Sequence, residues 1–467
     1  MQSLLALAVG SHKDPSVEIT FLGGTGTVTG SKYLLTSKRT RILVDCGLFQ
    51  GLKVLRLRNR QPLAVNLDEL DAVVLTHAHI DHSGYLPVVV RNGFNGPVYC
   101  TPPTADLCDI LLADSGYLQE EDARYANRKR FSKHEPALPL YTEDDGRRAA
   151  ERLTAVDPCK KISIGDLTVE LRPAGHILGA ASVLVSDGSR SVLFSGDLGR
   201  SDDLLMHPPQ APGEPNCVLI ESTYGDRDHA DGDPVAALGE VVSRTTERGG
   251  TVLIPSFAVG RAQTLLLCLH RLFSTGAVKR VPVYLNSPMA TDVTALYERH
   301  HAYHRLSEQD CAAMSSTAEM VRTIEESKQL NTRSGPMVII SASGMLTGGR
   351  VLHHLKSLAP SPGNTIVLPG YQAAGTRGAA LAAGAEEVKI HGGYVPVRAE
   401  VVQFDMFSAH ADRGDLLSWL GACERPPRSV FVVHGDPDAS DALRLRIKEK
   451  LGFDASVPEH GQTIRLG

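Results

Sequence analysis

The stretch Thr76-His77-Ala78-His79-Ile80-Asp81-His82 constrains this chain more than any other. It runs on from Asp71 to Thr76, an apolar segment that reads as a buried strand. Three imidazoles and a carboxylate follow one another so closely that a short loop at a strand end can turn all four toward one point. Such donors suit Zn²⁺, and the absence of a nearby thiolate argues against a purely structural zinc site. One zinc needs about four ligands and two metals need more. Further donors are therefore expected at other strand ends.

Three segments supply them. His176 lies in the turn Gly175-His176-Ile177-Leu178-Gly179, after a strand predicted at Thr168 to Leu171. Asp197 lies in Ser195-Gly196-Asp197-Leu198-Gly199, after Val192 to Ser195. His434 lies in Val433-His434-Gly435, after the strand from Ser429. A lone histidine after a strand is more often a satisfied loop residue, and an aspartate beside glycine is usually a turn former. Their recurrence at C-terminal strand ends is what makes a constellation.

Composition narrows the setting. The 48 basic and 53 acidic residues leave a net charge of −5, which excludes a globally basic nucleic-acid coat but not a local basic cleft. The eight cysteines are scattered without a C-x-x-C pair, against a disulfide framework and in keeping with the cytoplasm. No apolar run approaches the ~20 residues of a membrane helix. Leu4 to Val9 is short and reads as a frayed terminus, not a secretory signal.

The first half reads as short strands and Gly-rich turns, with helices predicted at Tyr85 to Asn92, Ala105 to Gln119 and Thr142 to Leu153. From about Asp226 strands alternate with helices, the pattern of a parallel α/β sheet. The simplest organisation is a first domain over 1–225, an α/β insertion over 226–408, and a return to the first domain over 409–467.

These residues resemble the metallo-β-lactamase superfamily. The H-x-H-x-D-H signature is His77, His79, Asp81 and His82, and the supporting strand-end aspartate is Asp45. Within it the chain is similar to the β-CASP nucleases: Glu221 in Ile220-Glu221-Ser222-Thr223-Tyr224-Gly225 resembles motif A, His410 in Phe407-Ser408-Ala409-His410-Ala411-Asp412 motif B, and His434 motif C. Gly26 to Ser31, Pro255 to Arg261 and Ser343 to Leu346 match as well. The similarity is greatest to the short bacterial and archaeal relatives of the nuclease subunit that cleaves mRNA 3′ ends, and neither a preceding RNA-binding KH region nor a C-terminal extension is expected.

The resemblance implies an αββα sandwich with an inserted α/β β-CASP domain, and a ribonuclease with two Zn²⁺ per chain. His77, His79 and His176 would hold one ion, Asp81, His82 and His434 the other, and Asp197 would bridge them. Two such ions can generate hydroxide near neutral pH and stabilise in-line displacement at phosphorus. They outweigh Asp81, Asp197 and one hydroxide, so the site stays positive. His410 would be the general acid, oriented by Glu221, while Asp81 belongs with the catalytic set. RNA-processing members resemble the His form of motif C, so the expected partner is RNA; a membrane is not, and a homo-oligomer is left open.

A DNA-directed nuclease and a hydrolase of small esters or thioesters are the alternatives. The latter would need neither the insertion nor motifs A to C. A diiron oxygen-reducing protein normally carries Glu where His79 stands, and a non-catalytic scaffold would be expected to have lost ligands. For phosphate grip, Arg261 and Arg350 follow glycines and Arg377 lies in Gly375-Thr376-Arg377-Gly378, and Arg261 opens a predicted helix, whose N-terminus favours anions. The run Arg124 to His134 reads as solvated charge, as does the cluster His300, His301 and His304. Aromatics at 5% make an extended base-stacking platform unexpected.

Overall fold

The computed structural model describes residues 17–129, 134–370, 372 and 375–466. Leu4 to Val9, and Arg130 and Lys133 of the basic run, lie outside them.

Two seven-stranded sheets face each other. One runs Thr463–Leu466, Val17–Phe21, Tyr33–Thr36, Arg41–Val44, Ala72–Val74, Val98–Cys100, Leu153–Ala155. The other runs Ala455–Ser456, Ser429–Val432, Cys217–Ile220, Ser191–Phe194, Ala181–Ser186, Leu167–Pro173, Lys161–Ile164. Successive side chains of a strand point to opposite faces, and the packing follows that period. Ala72 and Val74 join Ile19, Phe21, Val183 and Phe194 between the sheets, whereas Val73 and Leu75 pack outward with Leu86, Val89 and Leu107. On the other sheet Leu219 points inward while Val218 and Ile220 pack with Leu416, Leu420 and Leu443. Helix, sheet, sheet and helix thus form the layers of the metallo-β-lactamase fold.

A third, six-stranded sheet is parallel throughout, in the order Glu319–Met320, Val283–Asn286, Met337–Ser341, Thr251–Pro255, Thr365–Pro369, Glu400–Phe404. It is threaded between two strands that are parallel neighbours in the second sheet, with Cys217 opposite Ser429 and Ile220 opposite Val432. The chain therefore leaves and re-enters the sandwich at adjacent strand ends. That topology brings Glu221 and His434 side by side.

Local outcomes differ from the sequence reading in three places. The helix expected to reach Leu153 is Glu143–Ala150, closed at its start by a Thr142–Asp145 capping box. Leu153–Ala155 instead pairs in parallel with Val98–Cys100, because the open sheet edge offers its backbone partners. The helix expected at Ala105 to Gln119 runs Pro102–Lys129; its polar second half is made of good helix formers and still buries Ala126. The histidine cluster is not simply solvated. His304 is buried with Nε2 on Tyr297 O at 2.9 Å, and His300 Nε2 meets Asp106 at 2.8 Å, while His301 stays exposed.

Candidate metal centre

The His-rich loop is shaped by Asp45. Its buried carboxylate accepts from Thr76 N at 2.8 Å, from Thr76 Oγ1 at 2.9 Å and from His82 Nδ1 at 2.7 Å. The last bond fixes the orientation of the His82 ring and leaves its Nε2 facing inward. The loop packs so tightly on the neighbouring segment that a Cβ at Gly47 would lie 1.6 Å from Asp81 O. Only glycine fits there.

Asp197 stands at the centre. Its Oδ2 lies 3.4 Å from His77 Nε2 and 3.7 Å from His176 Nε2. Its Oδ1 lies 3.2 Å from His82 Nε2 and 3.5 Å from His434 Nε2. His79 Nδ1 completes the first group at 3.1 Å from His77 Nε2 and 3.2 Å from His176 Nε2. Asp81 Oδ2 completes the second at 3.8 Å from His434 Nε2. His434 is held from behind: its N–H donates to Gly24 O at 2.6 Å, and Ser31 Oγ lies 2.8 Å from its Nδ1.

This donor set fits a metal. His82 Nε2 and Asp197 Oδ1, 3.2 Å apart and both buried, have no well-aligned hydrogen bond among the described residues, an arrangement costly for polar atoms unless a cation engages them. Burial, with the neighbouring imidazoles, holds His77 well below its ordinary pKa, and burial takes His79 down to about 4 despite Asp81 and Asp197. Both are neutral at physiological pH, as ligands must be. His82 goes the other way: burial opposes its proton, but Asp197 and Asp45 together raise it.

Beside this cluster sits a pair separated by 189 positions: His410 Nδ1 lies 3.3 Å from Glu221 Oε1. Glu221 is fully buried and anchored, accepting from Leu198 N at 2.8 Å and Thr223 N at 3.2 Å. Burial alone would lower the His410 pKa; the Glu221 carboxylate, with Asp197 and Asp81, outweighs it and the imidazole is raised.

The three arginines part company. Arg261 starts the helix Arg261–Ser274 after Gly260, whose φ of +77° is a left-handed conformation. A Cβ on Gly260 would come within 3.3 Å of Ile177, so the helix start abuts the His176 turn. The Arg261 guanidinium lies 5.3 Å from the Phe257 ring, and its Nε is buried with no hydrogen-bond partner among the described residues. Burial lowers its pKa, opposed by Tyr224. Arg350 instead donates to Asn286 Oδ1 (3.0 Å), Val321 O (3.2 Å) and Arg322 O (2.7 Å). Arg377 donates to Lys389 O (2.7 Å), Leu346 O (3.0 Å) and Thr347 O (3.2 Å). Their donors are turned onto the inserted module's own carbonyl groups.

Sequence reasoning assigned no role to Thr76, Ser31 or His229. Thr76 carries the second bond to Asp45, Ser31 backs His434, and His229 reaches the main chain of His410. Ser31 and Thr76 lie in stretches already singled out but without a role of their own, and His229 had no motif-like signal.

Comparison with known proteins agrees with the fold. Family models match residues 25–243 (metallo-beta-lactamase superfamily), 262–381 (Beta-Casp domain) and 394–458 (Zn-dependent metallo-hydrolase RNA specificity domain). The chain is 38% identical to ribonuclease TTHA0252 of Thermus thermophilus, over 95% of this chain and 98% of that one. It is 32% identical to the transcription termination factor FttA of Methanosarcina mazei, covering 98% of this chain and 72% of that protein. A crystal structure of a protein of unknown function from Enterococcus faecalis V583 shares the fold, with a TM-score of 0.55 at 15% identity over 97% of this chain and 100% of its own.

Proposed function

Because this chain belongs to the β-CASP family of the metallo-β-lactamase superfamily, we propose that it is a ribonuclease, hydrolysing RNA phosphodiester bonds with two zinc ions and a histidine acid. The observation that carries the proposal is Asp197. One carboxylate oxygen faces His77 and His176 and the other faces His82 and His434, the disposition a bridging ligand needs. His77, His79 and His176 would hold one ion; Asp81, His82 and His434 the other. Bound there, two divalent cations would supply Lewis acidity toward the phosphoryl oxygens and acidify water.

The remaining chemistry belongs to the chain. Hydrolysis expels a ribose alkoxide, and a positioned acid that protonates it is typically worth ~10²–10⁴-fold. Glu221 accepts the Nδ1 proton of His410, so the proton to be donated sits on Nε2. Once it is given up, His410 remains neutral and still bonded to Glu221. The substrate assignment is supported by the ribonuclease relative, by the RNA specificity model over 394–458 and by histidine at 434. Cleavage of end-labelled RNA beside DNA of the same sequence, with and without chelator, tests it. RNA should be cut in a chelator-sensitive way and the DNA much more slowly; preferential cutting of DNA would reverse the assignment.

Two expectations follow. His410 acts when protonated, so activity should fall as pH rises through its raised pKa. Glu221→Gln removes the charge that raises it, so the alkaline limb of the pH–rate profile should move to lower pH. A limb that stays in place would detach Glu221 from that role. Arg261, a buried cation with no carboxylate partner among the described residues, is proposed as the phosphate contact. Arg261→Ala should weaken RNA binding and flatten the salt dependence by about 0.7 in the log–log slope, the value for one single-strand phosphate. An unchanged slope would make it a packing residue. Arg350 and Arg377, engaged with carbonyl groups, should alter that slope less.

A further inference from the structure

The segment just after Glu221 is laced to the segment around His410. Arg413 N donates to Arg227 O at 3.0 Å, Gly414 N donates to Asp228 Oδ1 at 3.2 Å, and the Arg413 guanidinium pairs with Asp228. One residue in this lacing reaches His410 itself. His229 Nε2 lies 3.0 Å from the main-chain carbonyl oxygen of His410. A carbonyl only accepts, so Nε2 carries the proton. The His229 main-chain N–H donates to Asp412 Oδ2 at 2.9 Å, and Asp412 also caps the following helix through Asp415 N. The ring packs edge-on against Tyr224, with centroids 4.7 Å apart, in the loop that carries Glu221.

His229 therefore touches the His410 main chain and, through Tyr224, the loop that carries Glu221, two segments that the chain separates by the whole inserted module. Neither its ring nor its backbone faces the donor groups around Asp197 in any contact above. His410 sits in an irregular stretch, held by an isolated bridge to Gly199, by Ala411 N donating to Leu198 O at 2.7 Å and by its own N–H on Ser408 Oγ at 3.3 Å. These bonds hold the N–H side; the His229 donor is a restraint on its carbonyl. Small displacements matter here, because a misplacement of about 1 Å can cost 10²-fold in rate.

We propose that His229 is a positioning residue for the His410 acid, setting the main chain of that residue against the Tyr224 loop. The proposal rests on the acid role given to His410 above. It concerns orientation and not metal binding.

The test uses the full chain and four variants, His229→Ala, His229→Phe, His229→Gln and His410→Ala. Phe keeps a ring against Tyr224 without the donor; Gln restores an amide donor near the position of Nε2. Each is assayed on RNA and on a nitrophenyl phosphodiester, whose leaving group needs no proton. His229→Ala and His229→Phe should lose about 10-fold or more in kcat on RNA, up to the ~10²-fold of a misplaced group. KM, bound metal and nitrophenyl activity should stay near wild type, and His229→Gln should recover most of the loss. Hydrogen exchange across Phe407 to Asp412 in metal-free protein should be faster in the Ala and Phe variants and slower again in Gln. Equal losses on both substrates, or no loss on RNA, would overturn the inference. His410→Ala separates the two failures. If it is selective for RNA and the His229 variants are not, only the positioning role falls. If it is equally impaired on both substrates, the acid role falls and takes this one with it.

Discussion

His410→Ala is expected to lose ~10²–10⁴ in rate on RNA while keeping its metal and its fold. The expectation comes from the division of labour in the cleft. His410 Nδ1 is turned to Glu221 at 3.3 Å and stands 3.9 Å from Asp197 Oδ2, so that nitrogen faces a carboxylate pair while the ring packs beside His176, with centroids 4.3 Å apart. Removing it takes away a proton donor and leaves the seven other donors in place. On a nitrophenyl phosphodiester the variant should approach wild type, because that leaving group departs without a proton. His434→Ala makes the contrast. It deletes one of the donors facing Asp197 Oδ1 and should be impaired on both substrates, with metal lost. Were His410→Ala to lose metal, His410 would be a ligand and not the acid.

Asp197→Ala should have the larger effect still, abolishing cleavage and lowering metal content. Four imidazole nitrogens, from His77, His82, His176 and His434, lie within 3.7 Å of its two oxygens. The buried carboxylate is the shared counter-charge for both donor groups, and its own pKa is held well below the ordinary range, with burial opposed by His434, His82 and His77. Without it, two cations would face each other across neutral imidazoles, with Asp81 as the remaining carboxylate. Elemental analysis of the purified variant checks the first half and an RNA assay the second. A fully loaded, active Asp197→Ala protein would remove the bridging role.

The metal loop was legible in the sequence because its donors are contiguous and follow an apolar strand. His176, Asp197 and His434 were legible only as a recurrence at strand ends, since no local pattern says which ends converge. Glu221 and His410 needed the family resemblance; nothing in their own segments links residues on either side of a whole sheet. Ser31 and His434 are 403 positions apart, and their contact exists only once two sheets have closed on each other. The arginines show the converse. Arg261, Arg350 and Arg377 look alike beside their glycines, yet which guanidinium meets carbonyl groups depends on where unpaired carbonyls fall in the folded module. Leu153 to Ala155 read as the end of a helix because the competing sheet edge is formed by residues far away in the chain.

The most direct measurement is a zinc titration of metal-stripped protein, following bound metal and cleavage of end-labelled RNA together. The account predicts no cleavage without metal and a rate that rises to a plateau as two equivalents bind per chain. Cleavage by metal-free protein, or a plateau at one equivalent with the second site empty, would contradict it.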